Sequence, residues 1–391
     1  MASLQQVDED AIPAKALELL SQTTYACSSI SEPLATRPGN YVYRGILSQP
    51  LTGQDGVVAT SVIIKYSIDL KSTNKEGSTV DAKRCAFEEV LFKAVAEFSP
   101  KISDTAVIRA PRIHLYDHER NIQVLEDLTN TTGFKMMLFS SDGDKLIPES
   151  SRRNIGRYLG SWLRSFHTWA SAPQQATLRG KILSDDPMRK LKLRISYNSF
   201  LGVLENYPEL LEGHRELLET IRNAKAKEFE KPATDADEDW GLIHGDLWCG
   251  NILIPTTGWQ EPTAQGKPNE LFMIDWEYAQ FGHRSYDIGH IVGDLCERII
   301  YNKADTALPV LEGFVEGYGQ LSDEMAFRVA IHVGVHAINW HKRRPKKGPW
   351  VASPEAIVAG LAVTRDFVIK GWEKDKAFFE GTLLASLFTA K

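Results

Sequence analysis

In the stretch LIHGDLWCGNILI, Leu242 to Ile254, three polar side chains interrupt two apolar runs: His244, Asp246 and Asn251. That spacing predicts a short loop which leaves one strand and feeds another while presenting side chains into a cleft. A carboxylate such as Asp246, within reach of a substrate hydroxyl, takes its proton as the oxygen attacks phosphorus. Asn251 stands at the start of the returning strand and offers a neutral oxygen to a divalent cation, while Asp275 ends the apolar run LFMID and offers a charged one. Together they could hold Mg2+ against a triphosphate. Taken singly, each residue has a plainer reading: His244 as a satisfied loop histidine, Asp275 as a helix cap.

The surrounding patterns supply the elements. YVYRGIL and TSVIIKYSIDL are β-branched and aromatic runs joined by the turn-rich SQPLTGQDG, and they predict a hairpin. In DAKRCAFEEVLFKAVAEF, Phe87, Val90, Leu91, Ala94, Val95 and Phe98 recur at helical spacing. RIHLYD and NIQVLEDL read as two more strands, after which TNTTGF is polar and turn-like; the lobe boundary is placed there. Beyond it helices dominate, through the stripe Ile155, Leu159, Trp162, Leu163 and Phe166, through PELLEGHRELLETIRNAKAKEFE, and through Ile288, Ile291, Val292, Leu295 and Ile299. The short strands Gly241 to Ile243, Ile252 to Ile254 and LFMID interrupt them, and the Gly/Pro/Thr-rich run PTTGWQEPTAQGKPNE reads as a solvated hairpin tip.

HGDLWCGN followed by IDWEYAQFGHRSYDIG resembles the catalytic and metal-binding segments of the aminoglycoside phosphotransferase and choline kinase superfamily, nearest to its methylthioribose-kinase-like small-molecule kinases. The likeness spans roughly Gly39 to Trp340. It implies an α+β fold, protein-kinase-like and two-lobed: an N-terminal nucleotide-binding lobe, residues 1–128, of antiparallel sheet with one helix, and a larger helical lobe, residues 129–391, with the catalytic loop and acceptor site. It further implies ATP and Mg2+ as cofactors, Asp246 as the catalytic base with His244 bracing its loop, and Asn251 and Asp275 as metal ligands. Lys65 in SVIIKYS resembles the strand lysine that meets the α/β-phosphates. Glu88 and Glu89 compete to partner it; Glu88 is preferred because Leu91 and Phe92 follow it on the buried stripe, whereas Glu89 has Lys93 one turn on. The segment VLEDL resembles the hinge, whose backbone at Glu126, Asp127 and Leu128 would meet adenine, and Asp287 would accept backbone N–H bonds from the catalytic loop. The superfamily often carries paired glycines over the phosphates, but TRPGNYVYRG offers only Gly39 before Asn40, and Gly39, Asn40 and Tyr41 are placed at the nucleotide by analogy. The acidic pair Glu126 and Asp127 otherwise reads as a solvated turn.

For the acceptor, a small molecule bearing a hydroxyl, the cues point to several branches: choline kinases, methylthioribose kinases, hydroxytryptamine kinases and fructosamine kinases. Trp276, Tyr278 and Trp340 could supply cation–π faces, and Glu277, Asp294 and Trp340 are the expected acceptor contacts. His332 and His336 share a helix face and read as core or pocket histidines rather than a metal pair. Cys249 reads as packing, and HKRRPKKGPW as a solvated loop or an anion contact.

Composition sets outer bounds. The chain has 391 residues, 43% hydrophobic and 25% charged, with a net charge of −6, which suggests neither disorder nor a nucleic-acid partner. The four cysteines are scattered and no apolar run approaches a membrane span, so a soluble cytoplasmic protein of unspecified oligomeric state is expected. Two rivals to a kinase are a silent nucleotide- or metabolite-binding relative and a metal-dependent phosphohydrolase using His244, Asp246 and Asp275, with His283 and His290 as further candidates.

Overall fold

The computed structural model describes residues 11–37, 40–53, 56–67, 84–98, 100, 102–140, 143–183, 186–231, 239–260, 267–348 and 350–389. Gly39, expected near the phosphates, lies outside them. The chain divides into two compact units, Met1–Glu97 with Ala110–Thr129, and Phe98–Arg109 with Asn130–Lys391.

In the first unit the strands are β1 (Cys27–Ile30), β2 (Ala35–Arg37), β3 (Asn40–Thr52) and β4 (Val58–Ser67). After the intervening β5 (Ala106–Arg109), which belongs to the other unit, come β6 (Ile113–Asp117) and β7 (Ile122–Glu126). The sheet order among the described residues is β1-β3-β4-β7-β6, with β2 on β3, and every pairing is antiparallel. Alternation along β4 sorts its side chains by face. Val62, Ile64 and Tyr66 are buried in one cluster with Ile12, Ala16 and Leu20 of helix α1 (Ile12–Leu20), an element the sequence patterns did not suggest. Lys65 and Ser67 therefore point the other way, toward helix α2 (Arg84–Ala96): Ser67 Oγ lies 2.9 Å from Cys85 Sγ.

The first unit does not run unbroken to Leu128. β5 pairs in parallel with β11 (Asn269–Met273), and that long-range ladder makes Phe98–Arg109 part of the second unit. β11 also pairs with β10 (Ile252–Pro255), which pairs in turn with β8 (Thr131–Gly133). The strands flanking the catalytic stretch do not share a sheet: β9 (Trp240–Ile243) pairs with β12 (Gln280–His283) instead. Gly245 turns the chain between them at φ +82, and a Cβ there would sit 2.1 Å from the Tyr278 carbonyl oxygen, so only glycine fits. The run from Pro208 forms two helices, Pro208–Leu211 and Arg215–Glu230, parted by Gly213 at φ +72. Helix α3 (Glu149–Ser171) buries Ile155, Leu159, Trp162, Leu163 and Phe166, the stripe its period predicts. Helices α4 (Asp186–Ile195), α5 (Ser285–Asn302) and α6 (Asp323–Arg343) complete the frame around the loop from His244 to Asn251. Among the described residues no helix is long and apolar enough to cross a membrane.

Candidate active site

In the first unit, Lys65 Nζ donates to both oxygens of Glu88, at 3.0 and 2.9 Å, and both side chains are buried. Glu89 turns elsewhere, accepting from Lys93 at 2.7 Å and facing His118 at 3.1 Å. Two carboxylates one residue apart thus separate as helix geometry requires, one toward the buried Lys65 and one toward the exposed Lys93 and His118. Asn40 is buried at the start of β3 and its Oδ1 accepts from Ser67 Oγ at 2.7 Å, tying β3 to β4. The acidic pair after β7 is not a solvated turn. Arg44 meets both oxygens of Asp127, at 2.7 and 3.0 Å, Ser61 Oγ donates at 2.6 Å, and only 2% of the Asp127 side chain is exposed. Glu126 accepts from the Arg112 backbone N–H at 3.0 Å, and its own N–H bonds the Arg112 carbonyl. Leu128 follows directly on this anchored pair.

In the second unit, Asp246, Asn251 and Asp275 come together through strand register. Ile252 pairs with Met273, and the Ile274 N–H donates to the Asn251 carbonyl at 3.0 Å, which puts Asn251 and Asp275 at the same end of the β10–β11 ladder. Asn251 Nδ2 donates to the Asp246 backbone carbonyl at 2.9 Å and to Asp246 Oδ2 at 3.0 Å. Asp246 is half-buried, with 18% of its side chain exposed. Asp275 occupies the left-handed region, φ 65 and ψ 59, a conformation costly for a residue with a Cβ and characteristic of functional positions.

His244 is fully buried, and burial lowers its pKa below the ordinary histidine range, so the ring is neutral. Its Nε2 donates to the Ile274 carbonyl at 3.1 Å, leaving Nδ1 to accept the Asp246 N–H at 3.4 Å. With both nitrogens engaged, His244 braces the loop and is not available as a metal ligand. That removes the first ligand of the phosphohydrolase alternative.

One face of α5 grips the loop. Asp287 accepts the backbone N–H groups of His244 and Gly245 at 2.8 and 2.9 Å, and His167 of α3 adds a contact at 3.3 Å. Burial would raise the Asp287 carboxyl, but the bonds from His167 and Gly245 outweigh it and hold the group below its ordinary value. One turn and two turns on, at helical spacing, stand His290 and Asp294. His290 Nε2 is 3.5 Å from Asp246 Oδ1, and Asp294 Oδ2 accepts the Cys249 N–H at 3.1 Å. From α4, the buried Lys192 ammonium donates to the Gly245 carbonyl at 2.8 Å and contacts His290 Nδ1 at 3.1 Å. Lys192 carries no recognisable motif; the polar stripe Asp287, His290, Asp294 was the signal available in the sequence.

A model of the phosphotransferase enzyme family matches residues 78–328, well over half of the chain. The chain belongs to that family. This phosphotransferase is 29% identical over 391 residues to "Phosphotransferase FrzJ" from Cladobotryum sp, covering 97% of each chain. It is 24% identical over 240 residues to a methylthioribose kinase from Bacillus mycoides, a match to 60% of this chain and only 55% of that one. Among solved structures it is similar to the amicoumacin kinase hAmiN in complex with AMP-PNP and Ca2+, at 16% identity and a TM-score of 0.47, covering 95% of this chain and 94% of that one. The phosphotransferase is a small-molecule kinase with an α+β fold.

Several residues expected at the acceptor take other places in the phosphotransferase. Trp276 is 1% exposed: its Nε1 donates to the Met273 carbonyl at 3.0 Å, and its ring meets Trp162, Phe166 and His244. Trp340 is 2% exposed and stacks on Tyr301 at 4.1 Å. Neither presents an exposed ring face for a cation; both pack in the interior. Asp294 is buried likewise, its Oδ1 paired with Lys135 while Oδ2 holds the Cys249 N–H. Lys135 also donates to Glu297 Oε2 at 2.6 Å, and its ammonium sits within the buried group Asp294, Glu297 and His336. Glu277 is buried in the short helix after Asp275. His332 Nδ1 bonds Tyr197 Oη at 3.1 Å, whereas His336 Nε2 meets Arg343 at 3.2 Å, so the pair does not converge on one point. Arg343, the third residue of the basic run, thereby folds back onto the protein.

Proposed function

We propose that this phosphotransferase moves the γ-phosphate of ATP, with Mg2+, to a hydroxyl of a small-molecule acceptor. The observation that carries the reading is Asp246 itself: a partly buried carboxylate, held on one oxygen by Asn251, in a loop braced through the peptide groups of His244, Gly245, Asp246 and Cys249. Asp246 would accept the acceptor's proton, and its rigid placement supplies the positioning on which phosphoryl transfer depends. Asn251 and Asp275 fit a hard divalent cation. Both offer oxygen donors, and Asn251 commits its amide nitrogen to Asp246, so its Oδ1 is the end left for a metal. When bound, Mg2+ would neutralise charge on the phosphates. Lys65, held by Glu88, would contact those phosphates, and the backbone from Glu126 to Leu128 would receive adenine, with Asn40 at the nucleotide and Glu277 at the acceptor. No disulfide joins the four cysteines, in keeping with a cytoplasmic setting.

The test is an ADP-release screen with Mg-ATP across amino alcohols, thiosugars, aminoglycosides, fructosamines and hydroxytryptamines. A hit whose product carries phosphate on a hydroxyl supports the reading. Product phosphorylated elsewhere, or free inorganic phosphate without a phosphorylated acceptor across all five classes, would sink it.

A further inference from the structure

His290 is more than nine-tenths buried, yet its Nε2 has no hydrogen-bond partner. Unbonded polar atoms in a protein interior are costly and uncommon, so one aimed at a functional group calls for a physical reason. The other side of the ring supplies it. Nδ1 lies 3.1 Å from the Lys192 ammonium, which is itself anchored on the Gly245 carbonyl at 2.8 Å. An ammonium has hydrogens and no lone pair, so Nδ1 must be the acceptor and the proton of the neutral ring must sit on Nε2. Burial, with Lys192 and His336 nearby, keeps that ring neutral. The Nε2–H faces Asp246 Oδ1 across 3.5 Å, just beyond hydrogen-bond length.

The ring is also fixed in place. His336 of α6 packs against it at 4.3 Å, and α6 comes this close because Gly293 has no side chain: a Cβ there would lie 2.9 Å from His336 Cδ2. Asp246 Oδ2 is already held by Asn251, so Oδ1 is the oxygen whose direction the nearby donor can set.

We propose that His290 is a positioning residue for Asp246, its Nε2–H closing on Oδ1 during turnover while Lys192 fixes the ring tautomer. The assignment rests on the reading of Asp246 as the base. It places no atom of His290 on the substrate. A carboxylate held on both oxygens presents its remaining lone pairs to the acceptor hydroxyl in one orientation, and that orientation is lost when the second donor goes.

The experiment pairs kinetics with spectroscopy on the full chain. With Mg-ATP and the acceptor returned by the ADP-release screen, His290→Ala lowers kcat about ten- to a hundredfold, the scale of one hydrogen bond to a charged group, while KM for ATP stays within about twofold. His290→Gln, whose amide nitrogen reaches the place of Nε2, recovers most of the loss. In protein labelled with 15N-histidine, the resonance that vanishes in His290→Gln reports a proton on Nε2, and Lys192→Met shifts it toward the other tautomer. An unchanged kcat in His290→Ala, equal loss in the Ala and Gln variants, or a proton found on Nδ1 overturns the proposal. Should Asp246→Asn keep full activity, the reading of the base fails first; if Asp246→Asn collapses and His290→Ala does not, only the role of His290 fails. The nitrogen spectrum decides the tautomer even without an acceptor.

Discussion

In the first unit a buried charge is held side chain to side chain, Lys65 against both oxygens of Glu88, on the face of β4 that looks toward α2. In the second unit the loop carrying Asp246 is held through its backbone. Asp287 takes two N–H groups, Lys192 takes the Gly245 carbonyl and Asp294 takes the Cys249 N–H. The two arrangements fail differently. Removing Glu88 misdirects a lysine but leaves the antiparallel ladder intact, whereas removing a loop brace leaves buried peptide groups unbonded and couples the position of the base to the stability of α5. On the proposed roles, a cation reaching a flexible polyphosphate would tolerate side-chain anchoring, whereas a base meeting one hydroxyl would need the tighter hold.

The largest effect should come from the proposed base. Asp246→Asn keeps the shape of the side chain and its contact with Asn251 but removes the charge, and kcat should fall by about a hundredfold or more while ATP binding, read by calorimetry, stays nearly intact. Retained turnover would dissolve the contrast between the units, because the second would then hold nothing of catalytic weight.

Next is the brace. Asp287→Ala strips partners from the buried His244 and Gly245 N–H groups and from His167, at about 1–3 kcal/mol for each buried group left unsatisfied. Both the denaturant midpoint and kcat should drop, kcat by roughly tenfold or more, measured well below the new unfolding transition. A variant with lowered kcat and unchanged stability would mean that the loop is not held through its backbone.

How far these contacts were legible depends on whether their cause was local. Glu88 could be chosen over Glu89 because a helix fixes which of two neighbours faces inward, and Asp287 could be placed because one motif ties it to the loop. Lys192 could not: it meets the Gly245 carbonyl from α4, across a long stretch of chain, and nothing in its neighbours marks it. The burial of Trp276 and Trp340 is not legible either, since an aromatic ring beside a motif has the same pattern whether it lines a site or fills a core. The strand Ala106–Arg109 and its place in the second unit carry no such mark, because a parallel ladder to Asn269–Met273 leaves no turn signal between its partners. Asp294 shows the same limit in one residue. Its helical spacing from Asp287 was visible, but Lys135, which engages its other oxygen, was not.

The comparison sharpens further in the first unit. Glu88→Gln should raise KM for ATP by about five- to tenfold with a smaller change in kcat, since a neutral amide holds the Lys65 ammonium less firmly. Glu89→Gln, whose carboxylate meets the exposed side chains of Lys93 and His118, should leave both parameters within about twofold. Equal effects from the two neighbours would show that Lys65 does not depend on the inward carboxylate.

The smallest effect is a pH dependence of the second unit's own lysine. Burial pulls the Lys192 pKa down to about 8 from an ordinary 10.5, with Asp246 and Asp287 offsetting part of that cost. Between those values the unfolded chain binds a proton that the folded one releases, so Lys192 adds stability as pH rises from about 8 toward 10.5, and this contribution is lost as pH falls back through 8. Urea midpoints at the two ends of that window should therefore diverge between the wild-type chain and Lys192→Met, the wild type gaining on the order of 1–3 kcal/mol relative to the variant. Parallel curves would place the ammonium in contact with water, and the brace on the Gly245 carbonyl would then be a surface contact with no bearing on how Asp246 is held.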